Sequence, residues 1–452
     1  MLSLTSLGGA GTVTGSKHLL THGNTCLLID CGLFQGLKNL RELNWEGLPI
    51  AASDINAVIL THAHLDHSGY LPRLVREGFR GPIYATDATR DVAALILRDS
   101  AHLQEKDAEY ANRKGFSRHA VAEPLYRVRD ADRAITAMQS VAWHSPVDLP
   151  GGATLLMRRA GHILGAASAQ IDIGGRSIVF SGDLGRYDDP VLHDPEPVPA
   201  ADYIVIESTY GDRVHDEADP VALLGDIIER TAKRGGTVVI PAFAVGRAQS
   251  LIYYLWQLRQ AGRLQNIPAY LDSPMAGNAT QLLHAHPAEH KLDDGEYEAA
   301  CQAIAYVRDV EESKALSANR YPKVIISASG MATGGRVLHH LAAFAHDHRN
   351  TMLFSGFQAA GTRGRKLLQG AREVKIHGNW VPVRAEVAEL PMLSAHADSN
   401  ELMRWLSGFR RAPQRVFIVH GEPEAADALR VRIERELGWN ACVPRQDQEF
   451  QL

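Results

Sequence analysis

Cysteine is scarce in this 452-residue chain, and no segment is continuously apolar over the length that a membrane requires. The four cysteines, Cys26, Cys31, Cys301 and Cys442, form no Cys-x-x-Cys pair, so a disulfide framework is not expected, and Cys26 and Cys31 should be packed thiols. No apolar run approaches the ~18 residues of a spanning helix, and residues 1–5 lack the start of a signal peptide. We therefore expect a cytoplasmic protein without membrane contact.

Repeats, low-complexity segments and an excess of one charge are also missing. The net charge is only −5, which looks wrong for a protein that binds nucleic acid. However, residues 323–384 contain nine Lys or Arg and two acidic residues, a charge of +7, so the rest of the chain carries −12. A basic segment in an acidic chain is typical of a phosphate-binding surface. Unrelated solvated side chains are the alternative explanation.

The densest group of side chains that can bind metals follows the apolar run 57–60. It consists of His62, His64, Asp66 and His67. The run predicts a buried strand, so these side chains should lie where the strand leaves its sheet. Histidine and aspartate suit zinc. His62 and His64 share a face in extended chain, whereas Asp66 and His67 diverge and can serve a second ion. A solvated His/Asp-rich turn is the alternative.

Several other apolar runs lead into a polar residue in the same way. Asp30, His162, Asp183, Glu207 and His420 each follow such a run. The carboxyl ends of strands are where α/β proteins place their chemistry. Taken singly, each residue could cap a turn or form hydrogen bonds within a loop, but the shared pattern favours one common site.

These residues resemble a known signature. The metallo-β-lactamase fold carries it at the positions of Asp30, His62, His64, Asp66, His67, His162 and Asp183. Segments 207–211, 394–398 and 419–422 resemble the three further motifs of the β-CASP branch, which contains ribonucleases. The resemblance spans nearly the whole chain in the family's order. It is strongest to the compact bacterial RNA-processing nucleases and to the nuclease subunit of the pre-mRNA cleavage and polyadenylation factor.

The domain organisation follows from strand patterns and from this resemblance. From about residue 212 to 385, predicted strands alternate with helices, which indicates βαβ units and a parallel sheet. The resemblance implies an α/β fold, an αββα metallo-β-lactamase sandwich with an inserted parallel α/β β-CASP domain. We expect the sandwich over residues 1–202 and 388–452 and the insertion over residues 203–387.

The resemblance implies two zinc ions, with manganese as the alternative metal. Seven side chains are assigned as ligands: His62, His64 and His162 for one ion, Asp66, His67 and His420 for the other, and Asp183 between them. A metal pair can hold a hydroxide and clamp the attacking and leaving oxygens of a phosphodiester. Attack by water would leave a 5′-phosphate and a 3′-hydroxyl.

Three further residues complete the expected catalytic group with Asp66. We expect Asp30 to hydrogen-bond a ligating histidine from outside the ligand set. His396 could hydrogen-bond the scissile phosphate or protonate the leaving oxygen. Glu207 would orient and charge His396, as carboxylates commonly do for imidazoles.

Two glycine-rich turns in the basic segment, 327–336 and 355–365, each join a predicted strand to a helix. Such turns expose backbone N–H groups to anions, although glycine-rich turns also occur for steric reasons. Both resemble β-CASP motifs, as does segment 241–249. The residues expected to bind RNA phosphates are Ser327, Ser329, Gly330, Thr333, Arg336, Thr362, Arg363, Arg365 and Arg247.

The sequence thus predicts a zinc-dependent ribonuclease acting on single-stranded RNA, with endonuclease and 5′-exonuclease modes and a homodimer left open. Four alternatives remain. A small-molecule hydrolase of this fold would not need the insertion or His396. A redox di-iron enzyme normally has a carboxylate at the position of His64. A non-catalytic binding subunit would lack metal ligands, whereas none is missing here. The fourth alternative is a DNA nuclease of the crosslink-repair branch. That branch has a valine in place of His420, so His420 favours RNA.

Overall fold

The computed structural model describes residues 1–115, 121–264 and 266–452, which form two compact units. The first unit contains Met1–Asp189, His193–Val214 and His396–Leu452, and the second contains Pro190–Leu192 and His215–Ala395. The second unit is therefore an insertion in the sequence of the first. Its main boundaries fall later than the predicted ones at 202/203 and 387/388. Residues 203–207 form a strand in a sheet of the first unit, and residues 386–389 form a strand in the sheet of the second.

The strands are numbered in chain order. They are β1 (Leu2–Gly8), β2 (Lys17–His22), β3 (Thr25–Ile29), β4 (Ala57–Ile59), β5 (Ile83–Ala85), β6 (Met138–Ser140), β7 (Val147–Leu149), β8 (Ala153–Arg159), β9 (Ala167–Ile173), β10 (Arg176–Phe180), β11 (Tyr203–Glu207), β12 (Thr237–Pro241), β13 (Ala269–Asp272), β14 (Ala305–Tyr306), β15 (Lys323–Ser327), β16 (Thr351–Phe354), β17 (Glu373–Ile376), β18 (Asn379–Pro382), β19 (Glu386–Glu389), β20 (Arg415–Val419), β21 (Ala441–Cys442) and β22 (Glu449–Gln451).

The α-helices follow the same convention. They are α1 (Lys38–Glu46), α2 (Leu65–Ser68), α3 (Leu71–Arg76), α4 (Asp87–Lys114), α5 (Val128–Thr136), α6 (Pro220–Lys233), α7 (Arg247–Gln260), α8 (Pro274–Ala285), α9 (Asp294–Gln302), α10 (Val310–Ala318), α11 (Val337–Phe344), α12 (Arg363–Leu368), α13 (Ser399–Ser407) and α14 (Pro423–Arg432). Within the described ranges, none of these helices is long and apolar enough to cross a membrane.

Two seven-stranded mixed sheets form the first unit. Their strand orders are β22-β1-β2-β3-β4-β5-β6 and β21-β20-β11-β10-β9-β8-β7. Inward-facing side chains of both sheets share one hydrophobic core, which includes Leu27 and Ile29 from the first sheet and Phe180 and Phe417 from the second. Leu27 and Ile29 are two residues apart, so they lie on the same face of β3. The sheets therefore pack face to face, as the αββα prediction requires.

The parallel part of each sheet places polar residues at a common edge. In the first sheet, β3 and β4 run parallel, and Asp30 follows directly after β3. In the second sheet, β10, β11 and β20 run parallel, with Glu207 paired to Val419 in register. His420 therefore follows β20 beside the last residue of β11. This register explains why residues far apart in the sequence meet at the strand ends.

The second unit contains a six-stranded sheet of order β14-β13-β15-β12-β16-β19, in which every neighbouring pair is parallel. The predicted α/β class and the parallel sheet of the insertion are confirmed. A separate antiparallel hairpin, β17–β18, packs Val374 and Ile376 into the hydrophobic core of this unit.

The cysteines are free thiols. Cys31 is fully buried, and burial raises the pKa of its thiol to about 12. Burial also raises the pKa of the Cys26 thiol. Both groups are therefore protonated at neutral pH and are poor nucleophiles.

Candidate metal centre

Strand ends and adjoining loops of the first unit bring the predicted ligand and catalytic residues together. Two of them adopt left-handed backbone conformations: Asp30 has a φ of 58° and His420 a φ of 47°. For residues other than glycine such conformations cost on the order of 1–3 kcal/mol and are concentrated at functional sites. The residues that meet here are Asp30, His62, His64, Asp66, His67, His162, Asp183, Glu207, His396 and His420.

One group of four side chains surrounds a single point. It consists of His62, His64, His162 and Asp183, whose ligand atoms all lie within 4.8 Å of one another. Asp183 Oδ2 is 3.4 Å from His62 Nε2 and 3.6 Å from His162 Nε2. His64 Nδ1 is 3.2 Å from His162 Nε2. Three imidazoles and a carboxylate at this spacing match the donor set of a zinc site.

A second group contains Asp66, His67 and His420, again with ligand atoms within 4.8 Å of one another. His420 Nε2 lies 3.5 Å from Asp66 Oδ2. Asp183 Oδ1 lies 3.2 Å from His67 Nε2 and 3.5 Å from His420 Nδ1. The two oxygens of Asp183 therefore face different groups, Oδ2 toward the first and Oδ1 toward the second.

Several atoms of these groups are buried without a hydrogen bond. In the described part of the chain, His62 Nε2, His67 Nε2, His420 Nε2 and Asp183 Oδ1 are inaccessible to solvent and make none. An unsatisfied buried polar group costs about 1–3 kcal/mol. These atoms belong to the two groups of possible ligands, where bound cations would satisfy them, so the residues present fit a metal centre.

The protonation states of the first group also suit metal binding. Burial lowers the pKa of His62 and of His64, the latter to about 3, and lowers that of His162 well below its usual range. Burial opposes ionisation of Asp183, but its histidine neighbours, His420 first, outweigh this and hold the pKa of Asp183 well below its usual range. Neutral imidazoles and an ionised carboxylate are the forms that bind metals.

Asp30 lies outside both groups and orients one of their histidines. Its Oδ2 is 2.7 Å from His67 Nδ1, and its carboxylate accepts hydrogen bonds from the backbone N–H and hydroxyl of Thr61. Burial opposes the charge on His67, but Asp183 and Asp30 raise the pKa of His67 well above its usual value. This contact fixes the ring so that Nε2 points toward Asp183 Oδ1.

Two threonines that were not singled out from the sequence contact other histidines of these groups. Thr61 Oγ1 is 3.2 Å from His62 Nδ1, and Thr209 Oγ1 is 3.2 Å from His420 Nδ1. The sequence contained a signal for both, because Thr61 directly precedes His62 and Thr209 lies in segment 207–211.

Replacement of Asp30 by asparagine should weaken metal binding by about 10- to 100-fold, as loss of a ligand's outer hydrogen-bond partner typically does. The amide keeps the size of the carboxylate but loses its charge beside His67. Zinc affinity measured by competition with a chelator checks this expectation. The control is Asp54→Asn, because Asp54 is an exposed aspartate of the same unit. Unchanged zinc affinity in Asp30→Asn would contradict the role assigned to Asp30.

A third group contains His396, Glu207 and Asp183. His396 Nδ1 lies 3.1 Å from Glu207 Oε2 and 4.0 Å from Asp183 Oδ2. Glu207 is fixed in turn by the backbone N–H groups of Leu184 and Thr209, at 2.6 and 3.3 Å. Burial opposes the charge on His396, but Glu207 and then Asp183 raise the pKa of His396 above its usual value.

The His396 side chain is more exposed than those of four neighbouring histidines. Its side chain is 16% exposed, whereas those of His62, His67, His162 and His420 are 0–4% exposed. His396 is therefore partly accessible from solvent while it lies beside Glu207 and Asp183.

The residues predicted to bind RNA all belong to the second unit, where the two glycine-rich turns are joined to each other. Gly364 N–H donates to the Met331 carbonyl, and Arg363 Nη1 donates to the Ala332 and Thr333 carbonyls. Ser329 and Thr333 pair through their hydroxyls. Thr362 caps α12 by accepting from the N–H of Arg365.

Two residues that were predicted to bind phosphates, Arg336 and Ser327, instead contact Asp272 within the protein. Arg336 Nη1 is 2.6 Å from Oδ1 of Asp272, which is fully buried, and Ser327 donates to the Asp272 carbonyl. His340 Nε2 lies 2.6 Å from the other oxygen of Asp272. Removal of Arg336 would leave a buried carboxylate short of a partner, which is strongly destabilising. Arg336 is therefore unsuitable as a direct test of RNA contact.

The remaining predicted residues occupy nearby loops and helix starts. Arg247, the first residue of α7, is buried. At Gly330 an added Cβ would lie 2.6 Å from the Phe243 ring, so this glycine is required for close packing. The ion pair between Asp272 and Arg336 was not predicted from the sequence. The signal for Asp272 was its position at the end of an apolar strand, which resembles the position of Asp30 directly after β3.

Three family descriptions match consecutive parts of the chain. The metallo-beta-lactamase superfamily matches residues 11–225, the Beta-Casp domain matches 248–367, and the Zn-dependent metallo-hydrolase RNA specificity domain matches 380–444. The chain is 37% identical to Ribonuclease TTHA0252 of Thermus thermophilus over 435 residues, which is 95% of each protein. This chain belongs to the β-CASP metallo-hydrolases.

Other relatives of this β-CASP metallo-hydrolase agree with that assignment. Transcription termination factor FttA of Methanosarcina mazei is 32% identical, over 96% of this chain and 69% of that protein. A crystal structure of a protein of unknown function from Enterococcus faecalis covers both chains fully with a TM-score of 0.54 at 12% identity, which shows a shared fold. The chain is thus an enzyme of a zinc-dependent, RNA-specific ribonuclease family, and its buried His/Asp groups are consistent with a metal site.

Proposed function

We propose that this enzyme hydrolyses phosphodiester bonds of single-stranded RNA at a centre of two zinc ions, leaving 5′-phosphate and 3′-hydroxyl ends. The observation that carries the proposal is the position of Asp183, whose two carboxylate oxygens face two separate groups of ligand atoms. A single-ion enzyme would not need a carboxylate in this position. The Zn-dependent RNA specificity domain over residues 380–444 supports zinc and RNA.

The ligands divide between the two ions as follows: His62, His64 and His162 for one, Asp66, His67 and His420 for the other, and Asp183 shared. Paired zinc ions, when bound, supply an activated water nucleophile at neutral pH and positive charge for the scissile phosphate. The protein holds the donor atoms in place through Asp30, Thr61 and Thr209, which orient three of the rings.

We assign proton transfer to His396. Its Nδ1 is directed at the Glu207 carboxylate, so the other ring nitrogen, Nε2, is the atom that would donate a proton to the leaving 3′ oxygen. Glu207 orients the imidazole through Nδ1 and stabilises its charged form, and two backbone N–H groups fix Glu207. This arrangement explains why a histidine that is not a ligand lies beside the metal groups.

We also assign RNA contact to the joined glycine-rich turns of the second unit. The residues available for phosphates there are the backbone N–H groups and hydroxyls near Ser329 and Thr333, together with Arg365, which is half-buried. Arg336 and Arg363 would act mainly by holding these turns, through Asp272 and through three backbone carbonyls.

The direct test is incubation of the purified protein with end-labelled RNA and DNA of matched sequence. We expect cleavage of the single-stranded RNA, loss of cleavage with a chelator, and recovery when zinc is added back. Comparing 5′-phosphorylated with 5′-hydroxyl RNA separates the two modes, because internal products at equal rates indicate an endonuclease. Equal cleavage of DNA, or RNA cleavage that survives the chelator, would contradict the proposal.

A further inference from the structure

The hairpin β17–β18 in the second unit presents an exposed tryptophan beside an exposed lysine. Lys375 and Trp380 are directly opposite each other in the strand register, and Trp380 is 62% exposed. Among the residues that the structure describes, neither side chain makes a hydrogen bond, an ion pair or a ring contact. A large aromatic side chain left open to water at the centre of a two-stranded face is unusual, because tryptophan is among the most buried residues on average.

The hairpin itself is rigidly held, so this exposure is not a sign of a loose segment. His377 and Gly378 form its two-residue turn with φ values of 48° and 85°, the backbone geometry that favours tight hairpins. Val374 and Ile376 on the inner face are each 2% exposed and pack into the core of the unit. Because successive side chains of a strand point to opposite faces, burial of Val374 and Ile376 places Lys375 and Trp380 on the outer face.

Two further contacts tie the hairpin to its surroundings. Arg363 Nε donates to the Lys375 carbonyl at 2.7 Å, and the same guanidinium binds the first glycine-rich turn at the Ala332 and Thr333 carbonyls. His377 stacks on His339 of α11, with ring centroids 4.6 Å apart. The Lys375–Trp380 face therefore keeps a fixed position relative to the turns assigned to RNA phosphates.

The charge of the segment that contains this face favours an anionic occupant. Residues 366–384 contain four Lys or Arg, of which Lys366, Arg372 and Arg384 are exposed like Lys375, and one acidic residue, Glu373, which lies on the same face of β17 as Lys375. A surface that combines an open aromatic ring with several cations is typical of single-stranded nucleic-acid binding, in which bases stack on the ring and phosphates contact the cations.

We propose that the Lys375–Trp380 face is a stacking platform for one unpaired RNA base, with the Lys375 ammonium on an adjoining phosphate. The inference rests on the proposed function for its ligand class, single-stranded RNA, and adds a contact point within the second unit. Stacking is tolerant of base identity because every base has a π-face. The platform therefore strengthens binding of single strands without imposing a sequence.

The test compares RNA affinity in a set of variants of the full, zinc-loaded chain, all made in a His396→Ala background so that RNA survives the measurement. Trp380→Ala and Trp380→Leu should each weaken binding of an unstructured oligoribonucleotide by about 5- to 150-fold, the range for loss of one stacked base. Trp380→Phe should recover most of that loss, since it keeps an aromatic face. Lys375→Ala should lower the slope of log affinity against log salt by about one.

The matched control is Trp45→Ala. Trp45 is another exposed tryptophan, 53% exposed, on α1 of the first unit, and its replacement should leave RNA affinity unchanged. Unchanged thermal unfolding in the Trp380 variants excludes a folding defect. An oligonucleotide scan with single abasic positions adds a test of stacking. One abasic position should weaken binding to the parent but not to Trp380→Ala.

Three results would overturn the platform: equal affinity of the parent and Trp380→Ala, equal losses in Trp380→Phe and Trp380→Leu, or a change in oligomeric state in Trp380→Ala without a change in RNA affinity. The last would assign the face to a second copy of the chain. Failure of the proposed function is distinguishable, because affinity is measured apart from cleavage. A parent that binds RNA with the expected contrast at Trp380, while the unmodified enzyme cleaves none, keeps the platform and rejects the nuclease.

Discussion

Asp183→Ala should lose both metal ions and all measurable RNA cleavage in one step. Asp183 Oδ2 faces His62 and His162, and Oδ1 faces His67 and His420, so its removal takes a donor from each group at once. It also leaves the histidines without the carboxylate that offsets the charge of two cations. The loss of metal affinity should exceed the ~10–100-fold loss that follows from removing an outer hydrogen-bond partner such as Asp30.

Elemental analysis of gently purified protein, together with the rate of RNA cleavage, checks this expectation. Asp172→Ala is the control, since Asp172 is an exposed aspartate on β9 of the same unit. A variant that keeps a full complement of zinc while it loses activity would reject the shared position of Asp183 and leave it a purely catalytic group.

His396→Ala should keep its zinc and lose turnover by about 10²–10⁴-fold, the usual contribution of a positioned general acid. The reason is that His396 lies beside the metal groups, with Nδ1 on Glu207, but is not among the seven assigned ligands. Glu207→Gln should show a smaller loss in the same direction, because the amide still fills the space but no longer stabilises the charged imidazole.

A change of leaving group separates proton donation from phosphate binding. A phosphodiester with a p-nitrophenolate leaving group needs no proton, so His396→Ala should cleave it nearly as fast as the parent does. An equal loss on RNA and on this substrate would indicate that His396 binds the phosphate instead. His144→Ala is the matched control, because His144 also pairs with a carboxylate, Glu196, but lies outside the three ligand groups.

The sequence predicts which residues meet at the candidate metal centre because many of them lie at or just after the end of a strand. An apolar run predicts a buried strand, and the carboxyl ends of parallel strands meet at one edge. Asp30, Glu207 and His420 illustrate this directly, since each is the last residue of its strand or the next one. The resemblance implies a position for Asp183 between the two groups, but which carboxylate oxygen faces which group depends on side-chain direction and could not be predicted.

Local sequence patterns are not sufficient to predict how the arginines of the glycine-rich turns are oriented. A glycine-rich turn with an arginine suggests phosphate binding, but the sequence does not tell whether the guanidinium faces solvent or the interior. Arg336 turns inward to Asp272, which is 64 residues away in the chain. Conversely, Trp380 gave no signal, because its exposure depends on the register that the turn at Gly378 imposes on the hairpin. Contacts of this kind are set by tertiary packing, which local patterns do not contain.

The measurement that tests the central claim most directly is a zinc titration of the metal-free enzyme, followed by its rate of cleavage of end-labelled single-stranded RNA. The paired groups around Asp183 predict that activity rises to a plateau at about two equivalents of zinc per chain, as expected for a two-metal phosphodiester hydrolase. A plateau at one equivalent, with a second equivalent neither bound nor needed, would contradict the two-zinc centre.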